Sequence, residues 1–188
     1  SIRIHFDRYL DPELPLSRVA LLESGAARFS ILTTYDPVDR ALVIRPRYPL
    51  RPELGYLLTL RQEEIRAMDG GQLATDFELS FFAIPDLGEN QAPEARTTFE
   101  ADVVPIIEQR CGCHGPSPAA FPELLPDELI NRPSARQPAR TLVKPGQPLQ
   151  SYLIQRLLTD YPGVRGNPKT ISGSELRILI SWVNQIGL

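Results

Sequence analysis

A run of four residues, Cys111-Gly112-Cys113-His114, holds most of the side chains in this sequence that could bind a metal or form a covalent bond. The chain of 188 residues contains two Cys and two His, so both thiols and one of the two imidazoles fall within this run. A zinc site with a full set of protein ligands and a disulfide-rich scaffold both need more of these side chains. The sequence therefore excludes those two classes of protein.

The order of these residues is close to that of a haem-attachment sequence. In Cys-x-x-Cys-His, the two thiols add to the vinyl groups of the porphyrin and the histidine ligates the iron. This chain has one residue fewer between its cysteines, and side chains two positions apart on a helix diverge by about 200°. Both sulfurs reach one porphyrin edge only where the backbone leaves helical geometry, which Gly112 permits. We therefore expect one haem c bound to Cys111 and Cys113, with His114 as the proximal ligand of its iron.

Two other states of the cysteines remain open from the sequence. A disulfide between Cys111 and Cys113 would close a very small ring, so it would be strained and readily reduced unless an oxidising compartment maintained it. The third state is a pair of unmodified or metal-bound thiols. His114 has a role only with haem, because two Cys and one His supply three ligands and no fourth is evident. The other imidazole, His5, lies on an alternating strand pattern and is expected to face solvent.

Charge, hydropathy and proline content exclude further classes of protein. There are 20 basic and 23 acidic residues, and a net charge of −3 gives no general attraction to nucleic acid or anionic lipid. No apolar run approaches the ~20 residues that cross a bilayer. Nineteen prolines favour extended strands and fixed loops over long helices. No arrangement of nucleophile, base and oxyanion donors is evident, so we do not expect an enzyme.

Residues 1–84 have the pattern of a small all-β sandwich. Ile2, Ile4 and Phe6 alternate with polar residues, which is typical of a half-buried strand. Further strands are predicted at 19–22, 29–34, 41–45, 56–60 and 77–82, with turn sequences between them. Short strands that follow one another in this way indicate an antiparallel sandwich.

Four elements of this domain occur in a recognisable order. They are an opening strand that ends in Phe6, a Tyr-x-Leu-x-Leu strand at 56–60, an Asp-Gly turn at 69–70 and a closing aromatic strand at 77–81. In this order they resemble the bacterial Ig-like domain of extracytoplasmic proteins. Domains of that family act as spacers and docking surfaces. The resemblance therefore implies an exported protein, located in the periplasm or at the cell surface.

A change of pattern marks a second domain. Residues 85–96 carry Pro, Gly and polar residues without periodicity and form the predicted linker. Thr98 then caps a predicted helix with apolar residues at helical spacing. Two more helices are predicted, one at 151–158 and one that begins at Ser172 or Ser174. The rest of the chain is therefore predicted to be helical.

The second domain also carries a set of elements in family order. They are Phe99-x-x-x-Val103-Val104-Pro105-Ile106-Ile107-x-x-x-Cys111, His114-Gly115-Pro116, Leu142-Val143-Lys144-Pro145-Gly146, Ser151-Tyr152-Leu153 and Leu176-x-x-Leu179-x-x-Trp182-Val183. Together they resemble the cytochrome c domains of secreted planctomycete and myxobacterial proteins. The resemblance covers 97–188 and implies a small all-α fold with Cys111, Cys113 and His114 as its haem site. It departs from that family at Asn167, which stands where the second iron ligand, a Met, is usual.

The combined prediction is a protein of two domains, an all-β Ig-like sandwich at 1–84 and a small all-α cytochrome c-like domain at 97–188. We expect a c-type cytochrome that transfers single electrons, with a redox or structural protein as its partner in a larger assembly. No transmembrane segment is expected in this chain, although a membrane tether could lie outside it. The one methionine, Met68, lies in the first domain, so the sixth iron ligand is not identified. The alternative is a haem-less accessory or docking subunit with a degenerate cytochrome fold, which the missing Met favours and the contiguous Cys-x-Cys-His opposes.

Overall fold

The computed structural model describes residues 1–84, 96–111, 125–166 and 171–186. The chain divides into two units, Ser1–Gln91 and Ala92–Leu188. The predicted linker at 85–96 lies outside the described residues except for Arg96, so its conformation stays a prediction.

Strands make up the regular structure of the first unit. In chain order they are β1 (Ile2–His5), β2 (Ala20–Ser24), β3 (Ala27–Phe29), β4 (Ile31–Asp36), β5 (Ala41–Pro46), β6 (Gly55–Leu60) and β7 (Phe77–Phe82), with a 3-10 turn at Gln62–Glu64. They form two antiparallel sheets, one in the order β1-β5-β4 and the other in the order β3-β2-β6-β7. The strand predicted at 29–34 is divided at Ser30, because β3 and β4 belong to different sheets.

Both sheets contribute to one apolar core. Leu42 and Ile44 of β5, Leu58 and Leu60 of β6, and Leu22 of β2 are each 1% exposed or less and belong to the same cluster. Side chains alternate across a strand, so the apolar residues at every second position of β6 all face this core. The predicted all-β sandwich in the first part of the chain is therefore confirmed.

Tyr56 fixes the start of β6. Its hydroxyl accepts a hydrogen bond from the Arg51 amide at 2.8 Å and donates one to the Arg51 carbonyl at 3.2 Å. Its buried ring meets the ring of Phe29 edge-on at 5.2 Å and stacks with that of Phe81 at 5.6 Å between centroids. A tyrosine that binds the backbone just upstream of its strand is the tyrosine corner found in Ig-like sandwiches. The first unit shares this device with them.

Short helices and irregular chain make up the second unit. Its described helices are α1 (Val104–Arg110), α2 (Pro126–Leu129), α3 (Tyr152–Leu157) and α4 (Gly173–Gln185). A π-helical turn at Phe99–Val103 precedes α1, and a 3-10 turn at Pro148–Gln150 precedes α3. Within the described ranges, no helix is long and apolar enough to cross a membrane.

The prediction of a small all-α cytochrome c-like domain at 97–188 is wrong. Only α4, with 13 residues, is longer than two turns, because α1, α2 and α3 have 7, 4 and 6 residues. Between α2 and the 3-10 turn the described chain has no helix and is joined by isolated β-bridges, Ile130 with Val143 and Pro133 with Thr141. The prolines of this stretch account for the difference, since a proline has no amide hydrogen and disfavours helical geometry in the residue before it. The fold-class prediction thus holds for the β part only.

Candidate functional site

Cys111 is the one predicted site residue that falls within the described chain. It lies directly after α1 at the C-cap position and is half-buried. Its amide donates a hydrogen bond to the Ile107 carbonyl at 2.7 Å, the last bond of the helix. Cys113 and His114 belong to 112–124, outside the described residues, so their roles stay predictions.

The backbone leaves helical geometry at Cys111. The last residue of α1 is Arg110, and Cys111 has a φ of −124° and a ψ of 27°, outside the α-helical region. Cysteines two positions apart on a continuous helix point in different directions. The helix ends at Arg110, so the chain is no longer helical at the first of the two cysteines, while Gly112, where the departure is predicted, lies outside the described residues.

The segment that leads to Cys111 begins with a capped turn. Thr98 is its N-cap, as predicted, and the Thr98 amide donates to the Asp102 carboxylate at 2.7 Å. The turn is π-helical, with the Val104 amide bonded to the Phe99 carbonyl. Pro105 follows in the first turn of α1, where its nitrogen has no hydrogen to donate to the carbonyl four residues earlier. Cap and proline together set where α1 begins.

The same segment runs antiparallel to α4. At its start, the Thr97 amide donates to Gln185 Oε1 at 2.9 Å, at the end of α4. At its far end, Arg110 Nε donates to Glu175 Oε1 at 3.0 Å, in the first turn of α4. Cys111 therefore follows the point at which the end of α1 meets the beginning of α4.

Apolar side chains fill the space between these two polar contacts. The rings of Phe99 and Trp182 are both buried, with centroids 5.2 Å apart and planes at 49°. The other buried residues of the two segments are Val103, Ile106, Leu176, Leu179, Ile180 and Val183. Each side chain of this size contributes about 1.5–3 kcal/mol when fully buried, so packing supplies most of the stability of this helix pair.

Glu175 links the start of α4 to the end of α1. Its Oε2 accepts from the Ser172 amide at 2.7 Å, and its own amide donates to Ser172 Oγ at 3.2 Å, which forms a capping box. The bonds with Ser172, followed by the bond and charge of Arg110, lower the pKa of Glu175 from 4.5 to about 2. The carboxylate is therefore charged at neutral and mildly acidic pH and holds its cationic partner there.

Neither Arg110 nor Glu175 is among the site residues predicted from the sequence. The Ser-x-x-Glu spacing of Ser172 and Glu175 is a sequence signature of a capping box and could have revealed the cap. No sequence signal joins Arg110 to Glu175, because 65 positions separate them.

Elsewhere in the described ranges there is no group of three or more His, Cys, Asp or Glu side chains that could hold a metal ion. Cys113 and His114 lie outside these ranges. The second imidazole, His5, is exposed on β1 as predicted, and its Nδ1 lies 3.2 Å from the Asp39 carbonyl oxygen.

Comparison with known proteins assigns no family to the chain. No family model matches it, and a search of curated proteins finds no matching sequence. The resemblance of the first domain to Ig-like domains stays a prediction. The cytochrome c resemblance also stays a prediction, and the all-α fold that it implied is not present in the described residues.

Proposed function

We propose that this protein carries one covalently attached haem on Cys111 and Cys113, with His114 as the proximal iron ligand, and that it transfers single electrons. The observation that carries the proposal is the end of α1 directly before Cys111. This ending, followed by Gly112, frees the two thiols from the diverging directions that a helix would impose. The proposal does not need an all-α fold, because function depends on a site and one chemistry occurs on many folds.

The residues of the site fit a covalent haem in their chemistry. Each thiol can add across a vinyl C=C bond, so that sulfur bonds to one carbon and hydrogen to the other, and no oxidant is needed. The imidazole of His114 can ligate the iron. Cys111, which would supply the first thiol, is half-buried directly after α1. The haem supplies the redox chemistry when bound, and the chain supplies attachment and orientation.

In this proposal the β-sandwich has a structural role. Its tyrosine corner, formed by Tyr56 and Arg51, is a feature that it shares with Ig-like sandwiches. Such domains serve as spacers and docking surfaces, so the sandwich would hold the haem-bearing unit against a redox or structural protein in an extracytoplasmic assembly. The net charge of −3 gives no general attraction to nucleic acid.

Expression of the full chain in a host that attaches c-type haem tests the proposal. We expect a Soret band, a pyridine haemochrome that corresponds to one haem per chain, and an intact mass that retains the haem after denaturation. The double variant Cys111→Ser/Cys113→Ser should lose the covalent haem. The control His5→Gln, in the first unit, should keep it. A wild-type chain without a Soret band in a host that matures another c-type cytochrome would overturn the proposal.

A haem-less docking subunit is the second candidate function. The observation in its favour is the second unit itself, which is not the all-α domain that the cytochrome c resemblance implied. The sequence adds that Asn167, outside the described residues, replaces the usual Met. This candidate requires the wild-type chain to show no visible absorption. Alkylation before and after reduction, followed by intact mass, would then show whether the two cysteines form a disulfide.

A further inference from the structure

We propose that the ion pair between Arg110 and Glu175 positions Cys111 for haem attachment, so that α4 determines where the first thiol lies. The inference rests on the function proposed above for Cys111. Its structural claim, that the pair holds the backbone at Cys111, can be tested on the chain without haem.

The carboxylate of Glu175 is held by the capping box as well as by Arg110. One oxygen, Oε2, accepts from the Ser172 amide at 2.7 Å, and the other, Oε1, accepts from Arg110 Nε at 3.0 Å. Exposed ion pairs are usually weak because both long side chains must give up their freedom to form them. Here the capping box has already ordered one partner, and the Glu175 side chain is only 18% exposed. This pair is therefore better suited to hold a position than an ordinary surface pair.

The ion pair lies at the end of α1, directly before Cys111, where it can hold the backbone in position. At the start of the segment, Thr97 and Phe99 are held by Gln185 and by the ring of Trp182. Buried Val103 and Ile106 hold the middle of the segment, whereas the last three residues of α1, 108–110, are exposed. Arg110 directly precedes Cys111, so its bond to α4 is the attachment nearest to the thiol-bearing residue.

Amide hydrogen exchange measured by NMR on the full chain, produced without haem and kept reduced, tests the structural claim. The Cys111 amide is bonded to the Ile107 carbonyl at 2.7 Å, and its exchange reports opening of the last turn of α1. We expect Arg110→Gln to raise the exchange rate of the Cys111 amide about threefold, after correction for the intrinsic exchange rate of the changed sequence. An effect of this size is usual for an exposed ion pair. Arg110→Lys keeps the charge and should restore the slow exchange.

Two further variants separate positioning from general stability. Glu175→Gln keeps a side chain that can serve in a capping box but removes the negative charge, so it should match Arg110→Gln. Arg8→Gln breaks the exposed Arg8–Asp69 pair of the first unit and should leave the Cys111 amide unchanged. The Ile180 amide, within α4, should exchange as in the wild type in all variants. Equal Cys111 exchange in the wild type and in both charge-removing variants, or a rise at Ile180 that matches the rise at Cys111, would overturn the claim.

Haem loading tests the consequence for attachment. In a host that attaches c-type haem, the fraction of folded chains with haem should fall about threefold in Arg110→Gln and return in Arg110→Lys. Faster exchange at Cys111 with unchanged loading would overturn the role in attachment. A wild-type chain that takes up no haem would contradict the function proposed above, while the exchange rates would still decide whether the pair positions Cys111.

Discussion

The ring of Phe99, one residue after the Thr98 cap, lies 5.2 Å from the ring of Trp182 in α4. Trp182 is the only tryptophan in the chain, so its fluorescence reports on the second unit and on its contact with this phenylalanine. The same contact lies between the two polar attachments of the antiparallel pair, from Thr97 to Gln185 and from Arg110 to Glu175. Tryptophan fluorescence therefore reports on the antiparallel helix pair that leads to Cys111.

Replacement of Phe99 by Ala should unfold the second unit at lower denaturant concentration. The change removes a buried ring and leaves a cavity beside Trp182, which costs about 3–5 kcal/mol. Urea unfolding followed by tryptophan fluorescence measures the loss. Phe82→Ala is the matched control, because Phe82 is 72% exposed on β7 and should leave the fluorescence transition unchanged. A loss in Phe99→Ala below about 1 kcal/mol would show that the ring contact does not hold the helices together.

Acid should weaken the second unit through Glu175. Its pKa is lowered from 4.5 to about 2 in the folded chain, so its contribution to stability is complete above pH 4.5 and is lost as the pH falls towards 2. The stability difference between the wild type and Glu175→Gln should shrink across this window. Unfolding midpoints from tryptophan fluorescence measure it, with Glu128→Gln on the exposed side of α2 as the control for loss of one carboxylate. A difference that stays constant with pH would contradict the assignment.

Removal of the Tyr56 hydroxyl should loosen the start of β6. Tyr56→Phe keeps the ring stacked on Phe81 but deletes both hydrogen bonds to the Arg51 backbone. A partly buried amide and carbonyl left without this partner cost about 1–3 kcal/mol. Amide exchange in β6 measures the effect. Tyr48→Phe, at a residue that is 74% exposed, should change nothing, and equal exchange in both variants would rule out a stabilising corner.

Gln155 should hold the proline-rich stretch of the second unit to α3. Its side chain is 8% exposed, accepts from Arg140 Nη1 at 2.6 Å and donates to the Leu149 carbonyl at 2.8 Å. Gln155→Leu keeps most of the volume but removes both bonds, and we expect a loss of about 1–3 kcal/mol in the tryptophan-detected transition. Gln62→Leu, at an exposed residue of the first unit, is the control. An unchanged transition in Gln155→Leu would mean that this network does not stabilise the unit.

Local patterns in the sequence predicted the strands and the helix starts. Alternation at Tyr56, Leu58 and Leu60 predicts a strand because neighbouring side chains of a strand face opposite sides, whatever the rest of the chain does. Thr98 and Ser172 predict helix starts because a cap needs only the amides of the next turn. Such signals come from residues a few positions apart.

The rest of the fold and of the candidate site depends on contacts between residues far apart in the chain, and no local sequence pattern contains such contacts. The bridge between Ile130 and Val143 replaced the helical structure expected for the second unit, since the resemblance rested on short elements and not on the prolines between them. The pairing of Arg110 with Glu175 joins residues 65 positions apart and has no local signature. For the candidate site, the sequence proposed Cys111 and a departure from helical geometry at Gly112, but it did not identify the residues of α4 that contact the end of α1.

The hydrogen bond between Thr97 and Gln185 has a consequence for how the protein is made. These residues are 88 positions apart, so α1 meets α4 only after a long loop has closed, and non-local closure of this kind slows folding. At a synthesis rate of about 5–20 residues per second, Cys111 leaves the ribosome several seconds before α4 is complete. During that interval the contacts between α1 and α4 cannot form, so Cys111 is not yet held in position. The proposed positioning of Cys111 by α4 therefore requires haem attachment to follow the folding of the second unit.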